Sequence, residues 1–310
     1  MTKPHFKTFP EFSKLTLADR EYYQRFCSRF PPSASLNFGT LMTWWSGLEP
    51  CKVAMHGGNL VICLWYPGYE EYSGLTVLGD NNIDETICAV FDFQRARGQE
   101  AKLAHVPEHI ISQVRYTELF SFSSERDQDE CIVDPSRLAK LEKLPTHKQW
   151  KLKRFMSEFN DERIKVAPID LSSVYQKDEL RDLISRWKLK GGVNDFARHE
   201  EDCLLMAIRQ PDEMGFSALG VYLDGELHSF LVLQDTARDD YKIMSHARFS
   251  YEVPYILETS IYMFARWFKE QGVNFVNIEA DSGFPLLRNI KLSLGPINFL
   301  RMYKIAPVKL

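Results

Sequence analysis

The stretch Asn277 to Tyr303, NIEADSGFPLLRNIKLSLGPINFLRMY, reads as the end of a strand, a short helix and a closing strand. Val273-Asn274-Phe275-Val276-Asn277-Ile278 is nearly unbroken in its apolar residues, the pattern of a strand covered on both faces. Two carboxylates, Glu279 and Asp281, stand where that strand ends, and Gly283 follows. Leu286, Leu287, Ile290 and Leu294 then recur at helical spacing, with Arg288 and Lys291 interleaved. Gly295-Pro296 stops the helix, and Ile297 to Tyr303 reads as one closing strand. Acids at the carboxyl end of a strand, before a helix that carries two cations, suit a pocket.

Outward from this stretch the chain carries enough apolar material for large cores. It has 310 residues, 45% hydrophobic and 13% aromatic, beyond the length at which single cores stop growing, so two domains are expected. A net charge of −4 excludes a uniformly basic nucleic-acid binder but leaves room for a local basic patch. Cysteines at 27, 51, 63, 88, 131 and 203 form no Cys-x-x-Cys pair. With no signal peptide read at the amino end, reduced thiols in a cytoplasmic protein are expected. No apolar run approaches the roughly 18 residues of a membrane span. Work on a lipid would then be done by peripheral contact with a membrane surface, or with another chain.

Taken in order, Asp19 to Phe30 and Leu41 to Trp45 read as helices, the second stopped by Gly47. Cys51 to Met55 and Asn59 to Tyr66 form a hairpin across His56-Gly57-Gly58-Asn59. Leu75 to Leu78 is a strand, Ile83 to Arg97 a helix with Ile87, Val90, Phe91 and Gln94 inward, and Lys102 to Val106 a strand. Cys131 to Asp134 is a short strand, and Pro135 marks the domain break, giving domains at 1–135 and 136–310. Residues 136–159 read as a basic connecting helix. Leu152, Phe155, Met156 and Phe159 make its buried stripe, and Lys148, Lys151 and Arg154 fall off it. Such a face is either merely solvated or a contact for the phosphates of a polyanion.

The second half repeats the grammar of the first. Ile164 to Val166 is a strand; Asp178 to Lys190 and Glu200 to Arg209 are helices. Phe216 to Leu223 and Leu227 to Gln234 form a hairpin across Asp224-Gly225. Tyr241 to Ala247 is a strand, and Pro254 to Gln271 a helix with Leu257, Ile261, Phe264 and Phe268 inward. Helix, helix, three antiparallel strands, helix, strand, helix, strand resembles the order of an N-acetyltransferase-like (GNAT) domain. The expected fold is therefore α/β with mixed sheets, in two tandem GNAT-like domains.

Other motifs are weaker. His105-Val-Pro-Glu-His109 spells H-x-x-E-H, but Pro107 stands between the histidines and no further acid follows. It reads as a strand end and helix start, and no metal site is expected. His56-Gly57-Gly58 lacks the Gly-x-Ser-x-Gly of a hydrolase and reads as a turn. An acyl-CoA-using GNAT domain cradles pyrophosphate on a glycine-rich turn after its fourth strand. Phe249-Ser250-Tyr251-Glu252-Val253-Pro254 has no glycine there, which disfavours CoA as a cofactor. Glu279, Asp281, Arg288 and Lys291 admit two readings. One is a surface ion-pair network. The other is capture of an α-amino group by the acids and oxyanion stabilisation by the cations. His246, at a strand end near the same helix start, is a candidate pocket residue or a structural one.

Asn277-Ile-Glu279-Ala-Asp281-Ser-Gly283, Leu287-Arg288-Asn-Ile-Lys291, Pro296 and Tyr303-Lys304 resemble the N-R-E-x-D-x-G…L-R…K…P…K-Y signature of one family. It is the family of the C-terminal catalytic domain of phosphatidylglycerol lysyltransferase. Leu144-Pro145-x-His147-Lys148-x-x-Lys151 is similar to that family's L-x-G-K-K…K-R-N…F helix, and Ser35-Leu36-Asn37-Phe38…Trp44 also fits. Ile278 replaces the usual Arg, Ser245-His246-Ala247 the usual Glu-Lys-Ala, and Thr146-His147 the Gly-Lys. The resemblance implies a tandem GNAT fold related to Fem-type transferases, and aminoacyl transfer from aminoacyl-tRNA to a lipid, peptide or small-molecule acceptor. It implies catalytic roles for Lys291 and Arg288. Substrate contacts would fall to Asn277, Glu279, Asp281 and His246, and tRNA contacts to Lys148, Lys151 and Arg154. The alternatives are an acyl-CoA-dependent N-acyltransferase and a binding module without catalysis. The oligomeric state is not legible.

Overall fold

A computed structural model describes residues 6–46, 50–65, 74–160, 162–191 and 195–308. Two compact units are present, one built from 1–131, 280–290 and 299–310, the other from 132–279 and 291–298. Gly47 and Tyr66, expected to close a helix and a strand, lie outside the described residues.

The chain runs β1 (Ser13–Lys14), α1 (Arg20–Cys27), α2 (Phe38–Thr43), β2 (Lys52–His56), β3 (Asn59–Leu64), β4 (Gly74–Leu78), α3 (Ile83–Arg95), β5 (Leu103–Pro107), α4 (Glu108–Ile111) and β6 (Phe120–Ser124). Then come β7 (Glu130–Val133), α5 (Pro135–Leu138), α6 (Thr146–Glu158), β8 (Ile164–Ile169), α7 (Val174–Gly191), α8 (Asp195–Arg209) and α9 (Pro211–Met214). The last elements are β9 (Phe216–Leu223), β10 (Glu226–Gln234), β11 (Tyr241–Phe249), α10 (Ile256–Glu270), β12 (Phe275–Asn277), α11 (Pro285–Ser293), β13 (Asn298–Leu300) and β14 (Met302–Pro307).

These strands build two seven-stranded mixed sheets of matching design, β1-β2-β3-β4-β5-β14-β6 and β8-β9-β10-β11-β12-β7-β13. In each, antiparallel hairpins lead to one parallel pair, β4 with β5 and β11 with β12. An antiparallel strand from the opposite half of the sequence follows: β14 beside β5, β7 beside β12. The Ile297 to Tyr303 segment, expected as one strand, is therefore two. β13 ends at Leu300, β14 begins at Met302, and they enter different sheets. Alternating apolar residues favour a strand but do not say which sheet takes it.

Turn chemistry held where it was specific. His56 pairs with Asn59 across Gly57 and Gly58, both at positive φ. Asp224 and Gly225, at φ 53° and 86°, make the left-handed two-residue turn that joins β9 to β10. The H-x-x-E-H spelling spans the end of β5 and the start of α4. Residues 136–159 are not one helix. They comprise the end of α5, a 3-10 turn at Leu141–Lys143, and α6, which starts after Pro145 in extended conformation. Proline fixes φ and disfavours helix in the residue before it, so the break falls there.

Helix α3 buries Ile83, Ile87, Val90, Phe91 and Gln94. The Gln94 amide donates to the Lys102 carbonyl and accepts from its N–H, at 2.8 and 2.9 Å, so a buried polar side chain fixes the entry to β5. Helix α10 buries Ile256, Ser260, Phe264 and Phe268 at steps of four, while Leu257 and Ile261 are only half-buried. Ser260 belongs inside because its hydroxyl accepts from Ser229 at 2.6 Å.

Candidate functional site

In the second unit the parallel pairing of β11 with β12 covers only Tyr241–Ile243 against Phe275–Asn277. β11 continues to Phe249 while β12 stops, so the two strands part company at Met244. A register slip opposite Val232 and Leu233 leaves Ser245 as an extra residue in β11. Bulges of this kind re-aim side chains. Here covered residues alternate at Tyr241, Ile243 and Ser245, then shift by one to His246 and Arg248. A strand that should bury only apolar groups thus carries Ser245, His246 and Arg248 into the interior.

Three further polar groups belong to this unit. Gln234 is buried on β10 and donates to the Ser245 hydroxyl. Asn277, fully buried, ends β12, and its Oδ1 accepts from the Glu279 N–H at 2.9 Å. That side-chain turn holds Glu279 at φ 60°. The left-handed conformation costs a non-glycine residue about 1–2 kcal/mol, and the hydrogen bond offsets part of it. Glu200 of α8 completes the set: Arg248 Nη1 donates to it at 2.9 Å, and His246 Nδ1 lies 3.8 Å from the same oxygen. The Arg248 guanidinium lies 4.5 Å from the centre of the Trp187 ring, which supplies a second favourable contact.

The electrostatics follow from burial opposed by pairing. Burial pushes the Glu200 carboxyl up, but His246 and Arg248 outweigh it and bring its pKa to about 2. Burial lowers the His246 pKa despite Glu200, so the imidazole is neutral at neutral pH. Burial raises the Cys203 thiol, and Glu200, Asp202 and Glu279 raise it further. Cys203 is thus an inert thiol, and Glu279 and Glu200 act on one neighbourhood. Because Glu200 is held below its ordinary value of 4.5, its contribution to stability is complete above that value. It is lost as the pH falls toward about 2. Glu200→Gln is expected to flatten the acid limb of the unfolding free energy across that interval, measured by urea titration at stepped pH. An unchanged limb would show that the pairing contributes nothing.

The remaining residues singled out from the sequence fall in two places. Asp281 and Arg288 meet in the first unit. The fully buried Asp281 carboxylate accepts from Arg288 Nε at 3.1 Å and Nη2 at 2.7 Å, from Arg126 Nη1 at 3.1 Å and from the Gly283 N–H at 3.1 Å. Burial raises the Asp281 carboxyl, but Arg288, Gly283 and Arg126 prevail and hold it below the usual range. Arg288 also pairs with Asp127. Lys291, on the last turn of α11, belongs to the second unit and is 7% exposed.

On α6, Lys148 Nζ donates to the Ser293 carbonyl at 2.8 Å and to its hydroxyl at 3.0 Å, and burial lowers its pKa. Lys151 pairs with Glu258 of α10. Of the three expected tRNA contacts, Arg154 is exposed, and Lys148 and Lys151 are half-buried. Glu200 and Arg248 were not singled out from the sequence. Their signal is a carboxylate at the head of the stripe Glu200, Cys203, Leu204 and Ala207, whose last three members are buried.

Between β11 and α10, the segment 250–255 is braced at Ser250 and Glu252. The Glu252 N–H donates to Ser250 Oγ at 3.0 Å, and the Glu252 carboxylate pairs with Arg186. It offers a carboxylate where a phosphate would need donors. Among the described residues no group of His, Cys, Asp and Glu could hold a metal ion, and no helix is long and apolar enough to cross a membrane.

The family model described as phosphatidylglycerol lysyltransferase, C-terminal, matches residues 29–306. No curated protein matches the chain by sequence. Among solved structures, a conserved protein of unknown function from Bacteroides thetaiotaomicron is similar over 96% of this chain and 99% of its own, at 20% identity and a TM-score of 0.78. L-PGS from Bacillus licheniformis is similar over 98% of this chain and 94% of its own, at 17% identity and TM-score 0.59. FemX is similar over 94% and 96%, at 10% identity and TM-score 0.58. At these identities the likeness shows the fold, which is the tandem GNAT-like architecture expected from the element order.

Proposed function

Because the chain belongs to the phosphatidylglycerol lysyltransferase, C-terminal, family, we propose that it transfers an aminoacyl group from aminoacyl-tRNA to a lipid, peptide or small-molecule acceptor. The observation that carries this reading is the polar lining where β11 and β12 part, with buried His246, Arg248 and Asn277 beside Glu200 and Glu279. A diverging parallel pair makes a crevice at strand ends, the usual place for ligands in α/β sheets.

The reaction is an acyl exchange at an ester. The acceptor's amine or hydroxyl attacks the aminoacyl carbonyl, its proton passes to the departing ribose hydroxyl, and the tetrahedral oxyanion collapses with release of the tRNA. Glu279, fixed by Asn277, takes the α-ammonium group. Lys291, a buried cation of the same unit, stabilises the oxyanion. Neutral His246 lines the pocket and accepts or relays the acceptor's proton. Arg288 and Asp281, committed to one another, act at one remove by holding the turn from which α11 grows. Of Lys148, Lys151 and Arg154, the exposed Arg154 meets the tRNA, while Lys148 and Lys151 are held by Ser293 and Glu258; a lipid acceptor entails peripheral contact with a membrane surface. A thioester of CoA is a poorer donor, since 250–255 has no glycine and holds the Glu252 carboxylate.

The test supplies radiolabelled aminoacyl-tRNAs and radiolabelled acyl-CoAs in parallel, with anionic lipid vesicles, peptides and polyamines as acceptors. Label is expected to leave aminoacyl-tRNA for one acceptor class and to stay on acyl-CoA. Transfer from acyl-CoA alone, or from neither donor, would overturn the reading.

A further inference from the structure

Residues His147, Trp150, Lys151 and Arg154 of α6 stand at i, i+3, i+4 and i+7, so they share one stripe of the helix. Its indole is in the middle of that stripe. Trp150 is 58% exposed, unusual for the largest apolar side chain. Its ring meets Tyr255 edge to face, with centroids 5.7 Å apart and planes at 77°. Tyr255 precedes the first turn of α10 in the left-handed conformation, φ 62°. The two rings therefore make a corner, with the exposed Arg154 on the same stripe and Lys151 paired with Glu258.

A second exposed ring stands on the same loop. Tyr251, 54% exposed, stacks on Trp187 at 6.5 Å and 20°. The backbone from 251 to 255 spans at most ~14 Å at about 3.5 Å per residue. Two flat apolar surfaces thus lie within a short stretch. The α6 sequence holds Lys148, Lys151, Lys153 and Arg154 against the single acid Glu158. Interleaving of rings with cations fits a polyanion whose units present a flat face, which is single-stranded nucleic acid.

We propose that the Trp150–Tyr255 corner stacks an unpaired base of a single-stranded RNA 3′ end, with Arg154 and His147 on the adjoining phosphates and Tyr251 taking a neighbouring base. The proposal rests on the aminoacyl-tRNA reading and adds the residues that recognise the donor's unpaired end. It does not involve Lys291, Glu279 or His246.

The test measures binding by fluorescence anisotropy to two probes at several salt concentrations. One is a short single-stranded RNA carrying the tRNA 3′ sequence, the other a blunt RNA duplex with the same number of phosphates. Trp150→Ala is expected to weaken single-strand binding about tenfold or more, as lost base stacking does, with an unchanged salt slope and unchanged duplex binding. Trp150→Phe is expected to stay within about threefold, because a stacking face is retained. Arg154→Ala should instead lower the salt slope by about 1 on both probes. Wild-type binding of the single strand that Trp150→Ala leaves intact, or weakens equally with the duplex, would overturn the stacking corner alone. Failure of the wild-type chain to bind either probe would overturn it together with the tRNA reading.

Discussion

Lys291→Ala is expected to slow aminoacyl transfer by about 100- to 1000-fold, the loss that accompanies removal of one oxyanion donor. An ammonium group held at 7% exposure is only thinly solvated. Its field on a developing negative charge is therefore stronger than that of a surface lysine. If Lys291 acts in the transition state, kcat and kcat/KM should fall together with little change in KM. The helix that carries it is short, Pro285–Ser293, and its carbonyl accepts from the Leu294 N–H at 3.1 Å, so the backbone stop does not depend on the side chain. Lys291→Met keeps the apolar stem and removes only the charge. It should lose activity like the alanine variant while melting like the parent. A rate within about threefold of the parent in both variants would remove Lys291 from the chemistry.

Arg248→Ala carries the largest expected loss of stability, about 3–5 kcal/mol, because it leaves the Glu200 carboxylate covered and without its guanidinium. Arg248 is 5% exposed, donates to Glu200 at 2.9 Å and to the Ala247 carbonyl at 2.9 Å, and covers the Trp187 ring. Glu200→Gln alone should cost less, since a neutral amide tolerates the same surroundings. In the double variant the buried charge is gone, so part of the Arg248→Ala loss should be recovered. A non-additive cycle of 0.5–3 kcal/mol is the usual sign of such direct contact. Strict additivity in urea denaturation would mean that the two side chains do not act as a pair.

The fold was largely legible because its signals are local. Asp224-Gly225 and Gly57-Gly58 specify their turns, and Ile87, Val90, Phe91 and Gln94 mark the inner face of α3. What the sequence hid depends on partners far along the chain. The split of 297–303 into β13 and β14 is settled by which strands lie beside them, not by their own composition. The place of Asn277 and Glu279 at the end of β12 was legible from the apolar run that precedes them. Arg248 was not, because its burial follows from the one-residue slip at Ser245, which exists only in the pairing with β10. Glu200 sits in His199-Glu200-Glu201-Asp202, a run that looks solvated until α8 is packed. Asp281 and Arg288 are close in sequence, but their further partners, Arg126 for Asp281 and Asp127 for Arg288, are remote. On α6, helical spacing told which residues share a side, but not that Glu258 and Ser293 would meet Lys151 and Lys148.

The proposed chemistry requires the aminoacyl group to rest where β11 and β12 part. A crystal structure of the chain with an aminoacyl-adenosine in which an amide replaces the labile ester tests this most directly. The ammonium group is expected within hydrogen-bond distance of Glu279, the carbonyl oxygen beside Lys291, and the adenosine leading toward α6. Density for the ligand at another place, with Glu279 and Lys291 both untouched, would contradict it.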